Sequence, residues 1–313
     1  MQTPKIVFLD QSTIGNVPNL KDLGKLGQFI AYPNSLPDQI VDRLSEAQVA
    51  ITNKVVIGRE EMDQLPHLRL ICVSATGMNN VDLEAAKEKG IMVKNVVGYS
   101  TDSVAQYTMT ALFTLAMDLI HLNDAVYDGT YSNYHNFAYW RNPFYELNGA
   151  RFGIIGMGTI GRRVAELATA YGAEVVYHST SGRNLDQPYP HLAFKEILGT
   201  CEVLSIHAPL NRNTHNLITY KELQAMKASA YLLNMGRGGI VNEDDLARAI
   251  DENLIAGAAV DVFTQEPIPK DHPFLQVQNK HRLLLTPHIA WASVEARMRL
   301  IDGVMDNVRT YLN

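Results

Sequence analysis

The stretch Phe152-Gly153-Ile154-Ile155-Gly156-Met157-Gly158-Thr159-Ile160-Gly161 decides the fold of this chain. An apolar run typical of a buried strand leads into glycines spaced G-x-G-x-x-G, and a helical pattern then continues to Tyr171. In such a strand–turn–helix unit, the first glycine permits the tight turn and the second lets the backbone approach a pyrophosphate. The third allows close packing of helix against strand, and the helix N-terminus offers its amides to phosphates. The stretch therefore predicts a dinucleotide-binding site.

The residues after the next predicted strand bear on which dinucleotide binds. A site that prefers NAD places Asp or Glu about twenty residues beyond the glycines, where it holds the ribose 2′-hydroxyl. This chain has Ser179 there, followed by Thr180, Ser181 and Arg183. No carboxylate repels a 2′-phosphate, and these side chains could donate hydrogen bonds to one. We expect NAD or NADP to serve as cofactor; the alternative is that Arg183 only points to solvent.

Apolar, strand-like runs alternate with helical patterns on both sides of the glycine turn, which predicts an α/β fold with parallel sheets. The runs are Ile6–Leu9, Val49–Thr52, Leu70–Ser74, Ile91–Val96, Phe152–Ile155, Glu174–Tyr177, Glu202–His207, Tyr231–Asn234, Ala256–Val262 and His281–Thr286. A length of 313 residues suits two domains.

Three further segments stand out. Val104–Leu122 is predicted to form one long helix, and Ser293–Leu312 an amphipathic helix at the C-terminus. Between residues 128 and 146 lies an aromatic loop of eight Tyr, Phe and Trp residues, counted with Tyr127 just before it. This loop either packs or covers a subunit surface, which we favour, or forms a wall of the substrate site.

Composition excludes several classes of protein. A net charge of -6 without a block of like charge does not suit a nucleic-acid surface. The N-terminal apolar run is too short for a signal peptide, and the longest apolar stretch, Met109–Leu122, contains Asp118 and does not suit a membrane span. We therefore expect a cytoplasmic protein. Cys72 and Cys201 lie in apolar strands and are predicted to be inert core residues.

Polar residues follow three of the predicted strands, in Asn234–Gly239, Asp261–Pro267 and Thr286–Trp291. Ligands gather at the carboxyl ends of strands in open α/β sheets. Reduction of a 2-oxo acid needs a cation for the carboxylate and carbonyl, a proton donor, and a group that tunes this donor. Together these segments offer all three.

These segments, with Gly156–Gly161, His207–Leu210 and Thr214, resemble the D-isomer-specific 2-hydroxyacid dehydrogenase family over essentially the full chain. The resemblance implies a catalytic set of Arg237, Glu266 and His288. Arg237 is suited to binding the carboxylate and carbonyl of the substrate. His288 is suited to donating the proton, with Glu266 stabilising the protonated ring.

The resemblance also implies cofactor contacts beyond the glycine turn, with the nicotinamide carboxamide near Asp261. Met235 stands where the family often has a small or hydroxylated residue, so a contact there would use its backbone. The predicted cofactor-binding residues are Gly156, Gly158, Thr159, Ile160, Ser179, Thr180, Arg183, His207, Pro209, Thr214, Met235, Gly236 and Asp261.

The loop Ser74–Asp82 bears on the substrate, because its amides could receive a carboxylate. This loop and the segment Asn95–Ala105 are similar to the glycerate dehydrogenase (hydroxypyruvate reductase) branch. We expect Ala75, Thr76 and Gly77 to bind substrate with Arg237 and His288, and Trp291 either to close over it or to be a packed aromatic.

Hydroxypyruvate or glyoxylate reduction is the expected activity, and reduction of pyruvate by a D-lactate dehydrogenase is the alternative. No Lys or Arg lies in the loop, which disfavours a phosphorylated acid. A dinucleotide-sensing corepressor and a formate- or phosphite-oxidising enzyme remain open.

The architecture that the resemblance implies is α/β, with two doubly wound parallel-sheet domains. A flavodoxin-like substrate domain would comprise residues 1–99 and 285–313, and an inserted Rossmann NAD(P)-binding domain residues 100–284. A homodimer is expected, with Val104–Leu122 and the aromatic loop as contacts. The reaction calls for no metal ion.

Overall fold

The computed structural model describes residues 3–313, which divide into two units. One unit comprises the residues up to Ser100 together with Ala292–Asn313, and the other is Thr101–Trp291. The sequence-based boundary after residue 284 had assigned residues 285–291 to the first unit. They belong to the second because Leu285 ends a strand of its sheet and the residues that follow are hydrogen-bonded to Asp261.

The elements of both units alternate along the chain. The strands are β1 (Lys5–Phe8), β2 (Gln28–Ala31), β3 (Val49–Thr52), β4 (Leu70–Val73), β5 (Met92–Lys94), β6 (Arg151–Ile155), β7 (Glu174–His178), β8 (Val203–Ile206), β9 (Tyr231–Asn234), β10 (Gly257–Val260) and β11 (Leu283–Leu285). The helices are α1 (Ile40–Leu44), α2 (Arg59–Asp63), α3 (Leu83–Glu88), α4 (Thr101–Ala116), α5 (Leu119–Tyr127), α6 (Thr159–Ala170), α7 (Phe194–Thr200), α8 (Tyr220–Ala225), α9 (Glu243–Asp251), α10 (Pro273–Gln276) and α11 (Val294–Leu312). Short 3-10 helices lie at Gln11–Thr13, Leu20–Lys25, Pro37–Gln39, Tyr131–Asn133 and Lys280–Arg282.

The first unit contains a parallel sheet in the order β2-β1-β3-β4-β5. This is the flavodoxin-like order, and it confirms the predicted fold class for this unit. Sequence patterning missed β2. Gln28 and Ala31 are exposed, so this edge strand lacks the continuous apolar run that marks β3 and β4.

The second unit contains a parallel sheet in the order β11-β10-β9-β8-β6-β7. A single bridge joins Tyr177 of β7 to His191, in the place of a further edge strand. With that bridge as position 3, β7, β6, β8, β9 and β10 complete the order 3-2-1-4-5-6 of a dinucleotide-binding fold, and β11 adds one strand beyond it. This confirms the predicted fold class for the second unit. The order reverses at β6, whose carboxyl end carries the glycine turn.

The predicted helix Val104–Leu122 is wrong as a single element, because the chain forms α4 and α5 with a break between them. Asp118 at the break adopts a left-handed backbone with φ of 55°. Its carboxylate accepts a hydrogen bond of 2.6 Å from Arg141 in the aromatic loop. A non-glycine residue in this conformation ends a regular helix, and the bond to Arg141 compensates part of the cost.

Both cysteines lie in the core, as predicted. Cys72 lies in β4 and is fully buried, and the buried Cys201 lies at the C-terminal end of α7, two residues before β8. Burial raises the pKa of the Cys72 thiol to about 12 and that of Cys201 to about 11. Neither thiol is therefore ionised near neutral pH. Within residues 3–313, no helix has both the length and the apolarity needed to cross a membrane.

Candidate active site

The glycine turn joins β6 to α6, and its glycines differ in how much space their surroundings leave for a side chain. Gly156 has φ of 96°, and a Cβ there would lie 2.8 Å from the backbone of Ala208. Gly161 is equally restricted, because its Cβ would collide with the carbonyl of Gly156. At Gly158, by contrast, a Cβ would meet no heavy atom within 4 Å. Packing does not require glycine at position 158, and the open space fits a phosphate approaching the helix N-terminus.

The first turn of α6 supports this interpretation. Thr159 begins the helix and is exposed, and Ile160 is half-buried against the core on the α4 side of the sheet. The twelve-residue helix therefore presents its N-terminal amides next to the open space at Gly158. The residues present fit a dinucleotide pyrophosphate.

The segment Ser179–Arg183 follows β7, which pairs with β6, so it lies beside the glycine turn. The hydroxyl of Ser179 donates to the carbonyl of Arg183, and the amide of Arg183 donates to Ser181 Oγ at 3.2 Å. The two serines are therefore engaged within a local turn. Thr180 is half-buried, and the exposed guanidinium of Arg183 forms no hydrogen bond or ion pair with any described residue. Of the predicted donors, Thr180 and Arg183 keep their side chains available for a ligand, and the hydroxyl hydrogen of Ser181 is also uncommitted.

Asn184, which sequence reasoning did not single out, connects this turn to the glycine turn. Its Nδ2 donates to the carbonyl of Met157 at 2.6 Å, and its φ is 63°. Asparagine tolerates the left-handed conformation better than other side chains do. An asparagine after a Ser-Gly-rich turn was the available signal, but its partner lies 27 residues away.

The segment after β8 contains His207, Pro209 and Thr214. His207 Nε2 lies 2.8 Å from Ser205 Oγ, while its Nδ1 is buried and has no partner in the described chain. Burial lowers the pKa of this ring to about 4, so it is neutral at physiological pH. Thr214 is fully buried, and its hydroxyl donates to the carbonyl of Pro209 at 2.7 Å. Thr214 therefore shapes the loop, and the exposed Pro209 is the part that a cofactor could contact.

The segment after β9 contains Met235, Gly236 and Arg237. Met235 is 6% exposed and packs in the core, which leaves only its backbone for a cofactor contact. Gly236 accepts a hydrogen bond of 2.9 Å from Arg237 Nη1, and its own amide donates to Asn234 Oδ1. The Arg237 guanidinium is exposed and has no acidic partner among residues 3–313. A permanent cation without a counter-charge is suited to an anionic ligand.

The segments after β9 and β10 lie against each other. Gly238 leaves no room for a Cβ, which would overlap the backbone of Phe263 and Thr264. This close approach places Arg237 next to the loop that contains Glu266. Glu266 Oε1 accepts the amide of Phe263 at 2.9 Å, which fixes its carboxylate to its own loop.

Glu266 and His288 form an ion pair, with 2.7 Å between Glu266 Oε2 and His288 Nδ1. The side chains are 30% and 27% exposed, respectively. Because Nδ1 is bound to the carboxylate, Nε2 is the nitrogen that can donate a proton to a ligand. His288 Nε2 has no hydrogen bond to any residue that the structure describes. The pair thus has the arrangement of a general acid and the group that orients it.

Asp261 fixes the backbone around His288. Its buried carboxylate accepts hydrogen bonds from the Thr286 hydroxyl and from the amides of Ile289 and Ala290, at 2.6 to 2.9 Å. The carbonyl of Asp261 also accepts the His288 amide at 2.8 Å. His288 has φ of 52°, which a side chain of this kind rarely adopts unless its surroundings enforce it. Asp261 is therefore engaged with the protein itself rather than free for a cofactor.

Trp291 and the loop after β4 complete the predicted residues. Trp291 Nε1 donates to the carbonyl of His288 at 2.9 Å, and its ring packs on the core, as expected of a packed aromatic. In the other unit, Asn95 Nδ2 donates to the carbonyl of Thr76 at 2.6 Å, and the amide of Val96 donates to the carbonyl of Ala75. The amides of Ala75, Thr76 and Gly77 have no acceptor within the described ranges. Three consecutive free amides could receive a carboxylate.

Comparison with known proteins agrees with this geometry. The model of the D-isomer specific 2-hydroxyacid dehydrogenase NAD binding domain matches residues 109–290. A glycerate dehydrogenase of Methylorubrum extorquens is 36% identical, over 99% of this chain and 96% of that protein. A hydroxypyruvate reductase of Blautia hydrogenotrophica is 35% identical, over 98% of this chain and 97% of that protein.

Solved structures show the same fold over nearly the whole chain. An acyclic imino acid reductase in complex with NADPH and D-Arg is 28% identical, with a TM-score of 0.85 and coverage of 98% of this chain and 97% of that one. A D-lactate dehydrogenase from Aquifex aeolicus, complexed with NAD and lactic acid, is 27% identical. Its TM-score is 0.82, and the match covers 98% of this chain and 95% of that one.

Proposed function

This chain belongs to the D-isomer specific 2-hydroxyacid dehydrogenase family, and from that premise we propose that it reduces hydroxypyruvate and glyoxylate. The family makes it an oxidoreductase that acts on the CH–OH group of 2-hydroxy acids. The observation that carries the proposal is the 2.7 Å pair of Glu266 and His288, next to the segment of the unpaired Arg237.

The chemistry divides among the residues of this site. A nicotinamide dinucleotide, held at the glycine turn, would supply the hydride for C2 of the 2-oxo acid. Arg237 binds the substrate carboxylate and polarises the carbonyl oxygen, and His288 Nε2 donates a proton to that oxygen as negative charge develops on it. Glu266 orients the ring through Nδ1 and stabilises its protonated form. The sum is 2-oxo acid, reduced dinucleotide and one proton giving 2-hydroxy acid and oxidised dinucleotide.

We assign the binding of the dinucleotide to the unit Thr101–Trp291 and part of the binding of the acid to the other unit. The open space at Gly158 supports the first assignment, and the free amides of Ala75, Thr76 and Gly77 support the second. Their small, uncharged side chains suit the carboxylate of an acid without a phosphate. Ala75→Pro removes one amide hydrogen, and we expect it to raise KM for the 2-oxo acid while KM for the dinucleotide stays the same.

An initial-rate panel tests the proposal. Hydroxypyruvate, glyoxylate, pyruvate and bulkier 2-oxo acids are compared with NADH and with NADPH, and His288→Gln serves as the inactive control. We expect the highest kcat/KM for hydroxypyruvate or glyoxylate. A preference for pyruvate would favour the D-lactate dehydrogenase alternative, for which the Aquifex aeolicus structure is the supporting relative. Absence of turnover with every acid would contradict the proposal.

We also propose that the enzyme accepts NADPH as well as NADH. Support comes from the unpaired, exposed Arg183 and the absence of a carboxylate directly after β7. Arg183→Ala should raise KM for NADPH by roughly 10-fold, the effect of losing one charge-assisted hydrogen bond. NADH is the internal control and should be nearly unaffected. Turnover with NADH alone would refute this part.

A homodimer is proposed on the basis of apolar exposure. Large apolar side chains are 38% to 93% exposed on α5 and in the aromatic loop: Leu119, Ile120, Val126, Tyr127, Tyr131, Tyr134, Phe137, Trp140, Phe144 and Tyr145. Such a concentration exceeds what a monomer normally leaves in water, and a two-fold symmetric pair would cover it. In light scattering, the double variant Phe137→Asp/Trp140→Asp should be a monomer. The control variant Leu36→Asp, at an exposed residue outside α5 and the aromatic loop, should remain a dimer. The cytoplasmic location remains a prediction.

A further inference from the structure

A second histidine–glutamate pair, Glu243 and His272, lies under the loop that contains Glu266. His272 Nε2 is 3.2 Å from Glu243 Oε2. The side chains are only 4% and 15% exposed, so water does not compete for the contact. Glu243 is the first residue of α9, and His272 is the N-cap of α10. The steps proposed above use neither residue.

The hydrogen bonds fix the direction of this pair. His272 Nδ1 accepts the amide of Phe274 at 3.3 Å and therefore carries no proton. Nε2 then carries the proton and donates it to Glu243, which acts as the acceptor. The rings of Phe263 and Phe274 lie 5.8 Å and 4.9 Å from the imidazole and hold it in place.

The other oxygen of Glu243 connects the pair to the active site. Glu243 Oε1 accepts the amide of Thr264 at 2.7 Å, and Glu266 Oε1 accepts the preceding amide, that of Phe263. The exposed part of this loop is Thr264–Glu266. The amides at its start are held by two carboxylate side chains rather than by backbone carbonyls. The position of Glu266 therefore depends on the bond from Thr264 to Glu243.

We propose that Glu243 and His272 are positioning residues that hold the Thr264 amide so that Glu266 faces His288. The inference rests on the proposed function, because it gives Glu243 an effect on the proton that His288 donates. If Glu266 drifts from His288, the protonated ring loses its nearest carboxylate and releases its proton at lower pH.

The charged groups around the pair make this effect specific. On the neighbouring segments, the Asp261 carboxylate is bound to residues 286–290, and Arg237 lies beside Phe263 through Gly238. On α9, Asp245 accepts the amide of Tyr220 at 2.9 Å. The side chain of Asp244 is exposed and forms no hydrogen bond or ion pair with the described residues. Asp244→Asn removes the same charge from the same helical turn and is therefore the matched control.

The experiment compares Glu243→Gln, His272→Asn and Asp244→Asn with the wild type. A glutamine at 243 has a single acceptor oxygen, so it can accept from the Thr264 amide or from His272 Nε2–H but not from both. An asparagine at 272 can still cap α10 but does not reach Glu243. For the first two variants we expect kcat to fall by about 10- to 100-fold from the misplaced loop. The upper pH limit of reduction should move down by about one unit, the effect of losing a nearby opposite charge. NADH affinity, measured by fluorescence, should not change in any of the variants. Asp244→Asn should keep the kcat and the upper pH limit of the wild type.

A double-mutant cycle separates positioning from general damage. In a Glu266→Gln background, Glu243→Gln should cause no further shift of the pH limit, because both changes act through the same carboxylate. An unshifted pH limit in both Glu243→Gln and His272→Asn, or a full additional shift in the cycle, would overturn the inference. If one variant does not fold in a thermal melt, the other decides. Failure of the proposed function looks different, since wild type would then be inactive or His288→Gln active.

Discussion

Two histidine–glutamate pairs share one loop of this protein and differ mainly in their exposure. Glu266 and His288 are about one-third exposed, whereas Glu243 and His272 are almost completely enclosed. Both histidines have one nitrogen bound to a carboxylate, but only His288 has its other nitrogen unpartnered in the described chain; His272 uses its other nitrogen to cap α10. Under the proposed function, the same chemical pair would serve proton transfer where it meets solvent and would fix a loop where it does not.

The largest expected effect separates the two pairs by turnover. His288→Gln removes the proton donor, and we expect kcat to fall by roughly 10²- to 10⁴-fold. Dinucleotide affinity should remain nearly normal, because the glycine turn is untouched. Steady-state rates and a fluorescence titration measure the two quantities, and His281→Gln, an exposed histidine, is the control. Near-normal turnover in His288→Gln would contradict the assignment of proton donation to the Glu266–His288 pair.

The next effect concerns the carboxylate of the exposed pair. Glu266→Gln replaces a negative charge 2.7 Å from His288 Nδ1 by a neutral amide, so the protonated ring is less stable. Reduction needs that proton, and its upper pH limit should therefore move down by about one unit. The pH profile of kcat/KM measures the shift. An unmoved profile would argue against the pairing.

The enclosed pair should also affect stability, and more strongly than the exposed pair does. His272→Ala removes the cap of α10 and the bond to Glu243, and leaves a space beside Phe263 and Phe274. We expect the free energy of unfolding to fall by about 1–3 kcal/mol, compared with about 0.5 kcal/mol or less for His288→Ala. Urea denaturation compares the two variants. The reverse order would contradict the division into reacting and holding pairs.

A pH-dependent effect on stability is expected for His207, whose ring has no carboxylate partner among the described residues. Burial lowers its pKa from 6.5 to about 4, so the unfolded chain takes up a proton in this pH window while the folded protein does not. Stability therefore falls as pH decreases from 6.5 towards 4. His207→Gln should flatten this dependence by up to about 1.4 kcal/mol per pH unit. Unfolding midpoints across the window provide the measurement, and equal slopes for both proteins would refute the assignment.

Features with local causes could be predicted from the sequence. The glycine turn was predictable because its spacing marks a local strand–turn–helix unit, in which Gly156 and Gly161 leave no room for a side chain and Gly158 borders open space. The parallel strands followed from short apolar runs, and the family, the cofactor class and the reaction class that were predicted are confirmed by the relatives. The three segments were located because each follows a strand, and the family resemblance then singled out Arg237, Glu266 and His288 within them. Their catalytic roles stay predictions.

Features that depend on distant contacts could not be predicted. The break at Asp118 depends on Arg141, 23 residues away, and the Glu243–His272 pair joins residues 29 positions apart. Hydroxyl groups were the other difficulty. Thr214 was expected at the cofactor but is buried in its own loop, because a hydroxyl satisfies a nearby backbone carbonyl as readily as a ligand. Only coordinates distinguish these two uses.

The turn Ser179–Arg183 has a consequence for redesign and for divergence among relatives. Its hydroxyl bonds close within the turn, and Asn184 provides the tie to the glycine turn. Because this segment forms few hydrogen bonds to the core, substitutions in it should change the free energy of unfolding only slightly. The choice between two metabolic electron pools, one carried by NADH and one by NADPH, would then evolve independently of the machinery for proton transfer. Replacing Ser179–Arg183 as one segment is therefore a practical route to changing the preference of the enzyme between NADH and NADPH.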